Sequence, residues 1–199
     1  MTGNLEELEL KDRLSLIESM IAEGRRKTER WSWTFVVWGV AYYIAIAWSV
    51  WGQSSLAWPV TMIAASVLTA VVGSRMRKGE PETTMGRALG AIWMAFGSSV
   101  FILMISLGVS GKLTDPHVAI AVIAAMLGSA NLASSLILKW RAQFGCAVVW
   151  LATAVASCFV SETVLYALGV TAIFLCQIVF GVYAMILESR RRQRGAAHA

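Results

Sequence analysis

The sequence predicts an all-α polytopic membrane protein, with six transmembrane helices arranged as three hairpins and a cytoplasmic amphipathic helix ahead of them. Three observations predict it. Hydrophobic residues make up 57% of the chain and charged residues 15%, against roughly 45–50% and about 25% in soluble domains. Six apolar runs hold no Asp, Glu, Lys or Arg in their interiors, where a charge costs about 2.5–3.5 kcal/mol to insert. Lysines and arginines gather at alternate ends of these runs, the pattern that keeps those ends in the cytoplasm.

Residues 1–30 read as a cytoplasmic segment, with an amphipathic helix over 4–23. Asn4 with Glu7 has the form of a capping box. Leu10, Leu14, Ile17 and Ile21 recur at steps of four, three and four, a narrow seam like that of a short coiled coil. Leu5, Leu16 and Met20 widen one shoulder. Glu7–Lys11 and Glu9–Arg13 are pairs in the favourable orientation, each worth about 0.2–0.5 kcal/mol. Glu6, Glu7, Glu9, Asp12, Glu18 and Glu23 face only Lys11 and Arg13, so the helix is acidic and anionic lipid repels it. Its seam is therefore expected to meet protein: a second copy in a dimer, the cytoplasmic ends of the bundle, or a separate cytoplasmic partner. Gly24 is expected to loosen the joint before the basic block Arg25, Arg26, Lys27 and Arg30.

The transmembrane bundle covers 31–188. Its first span, 31–52, has Trp31 and Trp33 at one edge and Trp48 and Trp51 at the other, as interfacial anchors have. The second is 58–74, with Pro59 tolerated in the first turn. The third is 88–110, with Thr83 or Thr84 as candidate cap. The fourth, 116–138, opens on Asp115 as N-cap and Pro116 at the first helical position. The fifth, 142–160, is short for a ~30 Å hydrocarbon core. The sixth is 163–187, and 189–199 is a basic cytoplasmic tail. Lys112 stands alone among the bases on the side predicted to face outward. The plasma (inner) membrane is the expected location, both termini are expected inside, and the first crossing is expected to serve as its own uncleaved signal. Val36-Val37-Trp38, Ala91-Ile92-Trp93 and Val148-Val149-Trp150 place a Trp early in each outward-going helix, as three copies of one hairpin would and as ordinary interfacial enrichment also would.

These features narrow the function. Net charge is +5, but the bases flank apolar runs and do not form a soluble face, which argues against nucleic acid. Cys146, Cys158 and Cys176 lie inside apolar runs and are odd in number, which fits neither a disulfide framework nor a zinc site. The lack of ionisable residues within the spans argues against a carboxylate-coupled pump or a voltage sensor. His117 and His198 are too peripheral to ligate a haem, and no nucleotide loop or nucleophile elbow appears. No enzyme, cofactor or metal is expected.

The most polar intramembrane feature is one face of the fourth span: His117, Ala121, Ala124, Gly128, Asn131 and Ser135. Such a stripe either lines a solute path or lets a neighbouring helix approach closely. Asn131 and Gln177 are the carboxamides placed in the hydrocarbon interior, at matching depth, and a direct hydrogen bond between them is expected. Ala41/Ala45/Ser49 and Ser66/Ala70/Ser74 are further small-residue faces. The functional expectation is a non-enzymatic, membrane-anchored interaction or regulatory protein acting through the seam Leu10/Leu14/Ile17/Ile21, with homo-oligomerisation. The alternative is a small transporter or channel for a neutral or lipophilic solute, with His117, Gly128, Asn131, Ser135 and Gln177 along its path.

Overall fold

The computed structural model describes residues 2–54, 56–77, 83–112 and 115–197, with the side chains of 2–6, 8 and 195–197 left aside. Residues 78–82, where Gly79 and Pro81 signal a turn, lie outside the described residues. Those described are helical almost throughout, with no strand among them. The order is α1 (Thr2–Arg30), α2 (Trp33–Trp51), α3 (Ala57–Arg77), α4 (Thr84–Val109), α5 (Pro116–Leu138), α6 (Arg141–Ser157), α7 (Glu162–Ile173), a π-helical segment (Phe174–Val179) and α8 (Phe180–Ala197). The last three run on as one rod. Five helices are long and apolar enough to cross a membrane: α2, α3, α4, α5 and the rod over Glu162–Arg194. By length and composition these helices are compatible with an integral membrane protein. The expected fifth span is α6, whose 17 residues reach only about 25 Å.

The caps follow the sequence closely. Asp115 accepts from the His117 amide at 2.8 Å and Pro116 opens α5, while Thr83 accepts from the Gly86 amide at 3.2 Å to open α4. Each satisfies a backbone donor that the helix start leaves orphaned. Lys139 closes α5 in the left-handed conformation, φ 49°, and with Trp140 makes the whole connection to α6. So short a turn forces α5 and α6 side by side. They form the most intimate helix pair in the molecule, joining helices that the sequence assigned to separate hairpins.

At the centre, aromatic rings tie distant helices together. Phe35 of α2 meets Phe180 of α8 and Trp93 of α4 edge-on, at 5.2 and 5.4 Å between ring centres. Phe180 also meets Trp140 at 5.2 Å. Edge-to-face pairs contribute about 0.5–1.5 kcal/mol beyond the area they bury, a gain that matters where lipid removes the hydrophobic difference between inside and outside. Trp93 and Trp150 are drawn into the bundle, whereas Trp48 and Trp51 are exposed.

Two expectations about faces change. Ala41 and Ala45 of α2 are buried, as expected of a small-residue face, but Ser66, Ala70 and Ser74 of α3 are exposed. The α3 face that is buried carries Ala57, Thr61 and Ala65, one residue round the helix. Thr61 can turn inward because its hydroxyl donates to the Ala57 carbonyl of its own helix at 2.6 Å.

The joint at Gly24 is also not loose. α1 passes through it unbroken to Arg30, and Asn4 lies within the helix and not at its cap. Gly24 packs where a Cβ would stand 2.6 Å from Met85 Cγ and 2.8 Å from Leu138 Cδ2. This glycine serves close approach. It brings α1 against the start of α4 and the end of α5, at the end of the bundle where α8 also emerges. The bases of α1, α4, the α5–α6 turn and α8 thus share one end. His117 and Ser157 meet at the other, 2.7 Å from Nδ1 to the carbonyl, and Lys112 falls at that far end.

Candidate functional site

Two places gather the residues that sequence reasoning singled out. The first is the arm. α1 is docked from Gly24 onward and projecting before it. Arg25 Nε donates to the Leu138 carbonyl at 2.5 Å, and its Nη2 donates to the Lys139 carbonyl; both are last-turn acceptors that α5 cannot satisfy itself. Glu29 is buried, with 3% of its side chain exposed, and pairs with Arg191 of α8 at 3.1 Å. Burial pushes the Glu29 carboxyl above the ordinary glutamate range, and the pull of Arg191, Arg25 and Arg26 opposes that shift only in part. Among the described residues its second oxygen finds no partner.

Beyond this anchorage the described side chains from Glu7 to Ser19 are exposed on every side, polar face and seam alike. Leu10 is 58% exposed, Leu14 53% and Ile17 52%; Ile21, nearest the bundle, is half-buried. The expected pairs are formed, Lys11 to Glu7 at 2.7 Å and Arg13 to Glu9 at 2.5 Å.

The second place is the α5 stripe and the π-helical segment. His117, Gly128, Asn131 and Ser135 turn toward α6 or into the core beside it. At Gly128 a Cβ would lie 2.7 Å from Leu151 Cγ and 3.2 Å from its amide nitrogen, so the stripe closes onto α6 there. Ser135 donates to its own Leu132 carbonyl at 2.8 Å.

Asn131 and Gln177 do not bond to each other. Asn131 Nδ2 donates back to the Leu127 carbonyl at 2.9 Å, and the side-chain oxygens of both residues lack partners among the described residues. The two side chains take different directions around their helices. Gln177 sits in the π-helical turn and faces α2, its Cβ 2.9 Å from where one on Gly39 would be.

Sequence reasoning missed Gln143, which is fully buried with neither amide atom partnered among the described residues, and Ser134 and Trp150, which are buried with one polar atom each unpartnered among them. Gln143 stands only two residues after Arg141, near the start of the span in sequence. The one available signal was that a carboxamide in so short a span has little interface to occupy. Cys176 Sγ lies 3.6 Å from the Cys146 carbonyl, which sets the π-helical segment level with the first turns of α6. Single π-helical turns are costly and recur at functional positions.

Among the described residues no group of three or more His, Cys, Asp or Glu is placed to hold a metal ion. No family model, curated protein or solved structure matches the chain.

Proposed function

We propose that this protein is a non-catalytic anchor: a six-span bundle in the plasma membrane that presents its N-terminal helix in the cytoplasm as a docking arm for protein. The observation that carries this reading is the contrast within α1. Its last turns are fastened by Arg25 and Glu29, while Leu10, Leu14 and Ile17 project uncovered from the same rigid helix. An apolar seam on an acidic helix suits another helix better than anionic lipid. A second copy of the chain, paired through the same seam, is the first expected occupant, and a cytoplasmic protein is the second.

The six-span threading rests on support from the ends. The bases of four separated segments meet at one end and Lys112 lies at the other, as alternate crossings require, with α6 completing its passage through interfacial residues on either side. The termini then share the cytoplasmic face. Residues 1–30, 31–188 and 189–199 are the arm, the bundle and the basic tail.

Full-length protein in lipid vesicles tests the reading by cross-linking through a cysteine placed at the exposed position Ser15. The native seam should give a dimer band or a band with a cytoplasmic partner, and L14D with I17D should abolish it. Bands that survive the double substitution would sink the proposal. A solute path is the second reading, favoured by the unpartnered amides of Gln143 and Gln177. It predicts solute flux into vesicles that Gly128→Leu with Asn131→Leu abolishes and the arm substitutions leave alone.

A further inference from the structure

Where α1 meets the bundle, on either side of Gly24, it borders a half-open cavity of about 260 Å³, lined by Glu18, Ile21, Ala22, Arg25, Lys139 and Arg191. These residues come from three separate parts of the chain: α1, the α5–α6 turn and α8. We infer that this cavity is a binding site for a phosphate-bearing anion, held by Arg25, Lys139 and Arg191 together.

Three facts support it. The positive-inside rule accounts for bases near each cytoplasmic end, but not for three of them converging on one cavity from three segments far apart in the chain. Their donors are also incompletely used. Arg25 spends Nε and one Nη2 hydrogen on the Leu138 and Lys139 carbonyls, and Arg191 spends Nη2 on Glu29. Each guanidinium offers five N–H groups in a fixed fork that suits phosphate oxygens, and among the described residues Lys139 has no ion pair. Finally, on the proposed spanning arrangement the depth fits. Gly24 rests on Met85 and Leu138, in the first and last turns of two apolar helices, which would put the cavity where those helices leave the hydrocarbon and phosphate headgroups begin.

Glu18, the one acid lining the cavity, opposes an anion. That gives the proposal a signature of opposite signs. Removing a base weakens binding, and removing Glu18 strengthens it. The phosphate has two sources, a lipid headgroup or a soluble phosphate, and the test separates them.

The full chain is purified in neutral detergent, and its thermal midpoint is followed against inorganic phosphate, with chloride of equal ionic strength as control. Separately, it is placed in nanodiscs of phosphatidylcholine alone or with phosphatidylglycerol, and retained lipid is counted by native mass spectrometry. Lys139→Gln, whose side chain is exposed and makes no structural bond, should weaken binding about two- to fivefold, the change a partly exposed ionic contact produces. Glu18→Gln should strengthen it by a similar factor. A phosphate-specific rise in midpoint with these opposed effects assigns a soluble phosphate, and selective retention of phosphatidylglycerol with the same effects assigns the lipid. Protection no greater than chloride together with no preference for phosphatidylglycerol overturns the site. So does any binding that both substitutions leave unchanged.

Discussion

Gly128 and Gly97 are both glycines in the middle of apolar helices, and they live in opposite surroundings. Gly128 of α5 lies so close to Leu151 of α6 that a methyl group would collide with its side chain and press on its amide nitrogen, whereas a Cβ on Gly97 of α4 meets nothing within 4 Å. The same contrast extends along both helices. α5 buries Ala124, Leu127, Gly128, Ala130, Asn131, Ser134, Ser135 and Leu138, while α4 buries Leu89 alone among its residues. Small residues in a membrane helix permit close packing. They do not oblige it, and a short connection decides which helix uses the permission.

The largest effect should come from testing that contrast directly. Gly128→Leu is expected to lose about 3 kcal/mol or more, since overpacking next to backbone cannot relax by side-chain rotation alone. Gly97→Leu should stay within about 0.5 kcal/mol. Unfolding in mixed detergent micelles measures both, and equal losses would break the comparison.

A second contrast lies inside α1. Arg25→Ala removes charged donors from two carbonyls, a change worth about 1.5–3 kcal/mol where such bonds are buried and less at this partly exposed site. Tryptic cleavage at Arg26 and Lys27 should accelerate severalfold while the bundle remains intact. Unaltered cleavage would mean that the arm is held elsewhere.

Acidity sharpens the same joint. Because burial raises the Glu29 carboxyl, the folded chain keeps that proton at pH values where the unfolded chain has lost it. The stability linked to it is present below the ordinary glutamate range and is lost as pH rises through the raised value. The thermal midpoint should fall across that window, and Glu29→Gln should flatten the profile. The smallest effect on stability belongs to L14D with I17D, expected within about 0.5 kcal/mol because those side chains touch little of the bundle; circular dichroism on heating checks it.

Much of this architecture is legible in one dimension. Asp115-Pro116 and Thr83 announce helix starts because a cap needs only neighbours in sequence, and the apolar runs bound α2 to α6 to within a few residues, whereas α1 and α8 run seven and ten residues past the expected ends at 23 and 187. The α5 stripe is legible as a small-residue face for the same reason. Azimuth is not. Ser66/Ala70/Ser74 and Ala57/Thr61/Ala65 are equally good small faces on paper, and only contact with α2 selects the second. Gln177 was aimed at Asn131 by depth, yet a π-helical turn rotates it toward Gly39, and Asn131 satisfied itself on Leu127. Gly24 read as a hinge because an isolated glycine loosens a helix; against Met85 and Leu138 it is a point of contact.

By itself, the sequence determined an apolar, helical, membrane-crossing chain with its bases sorted by end, because solvent imposes those choices residue by residue. Only the tertiary structure decided that α5 closes on α6, that α4 stays on the outside, and that Arg25, Lys139 and Arg191 surround one cavity. Those outcomes depend on how each helix is rotated about its axis. In a lipid-exposed bundle almost every face is apolar, so hydropathy cannot choose the rotation and close packing must.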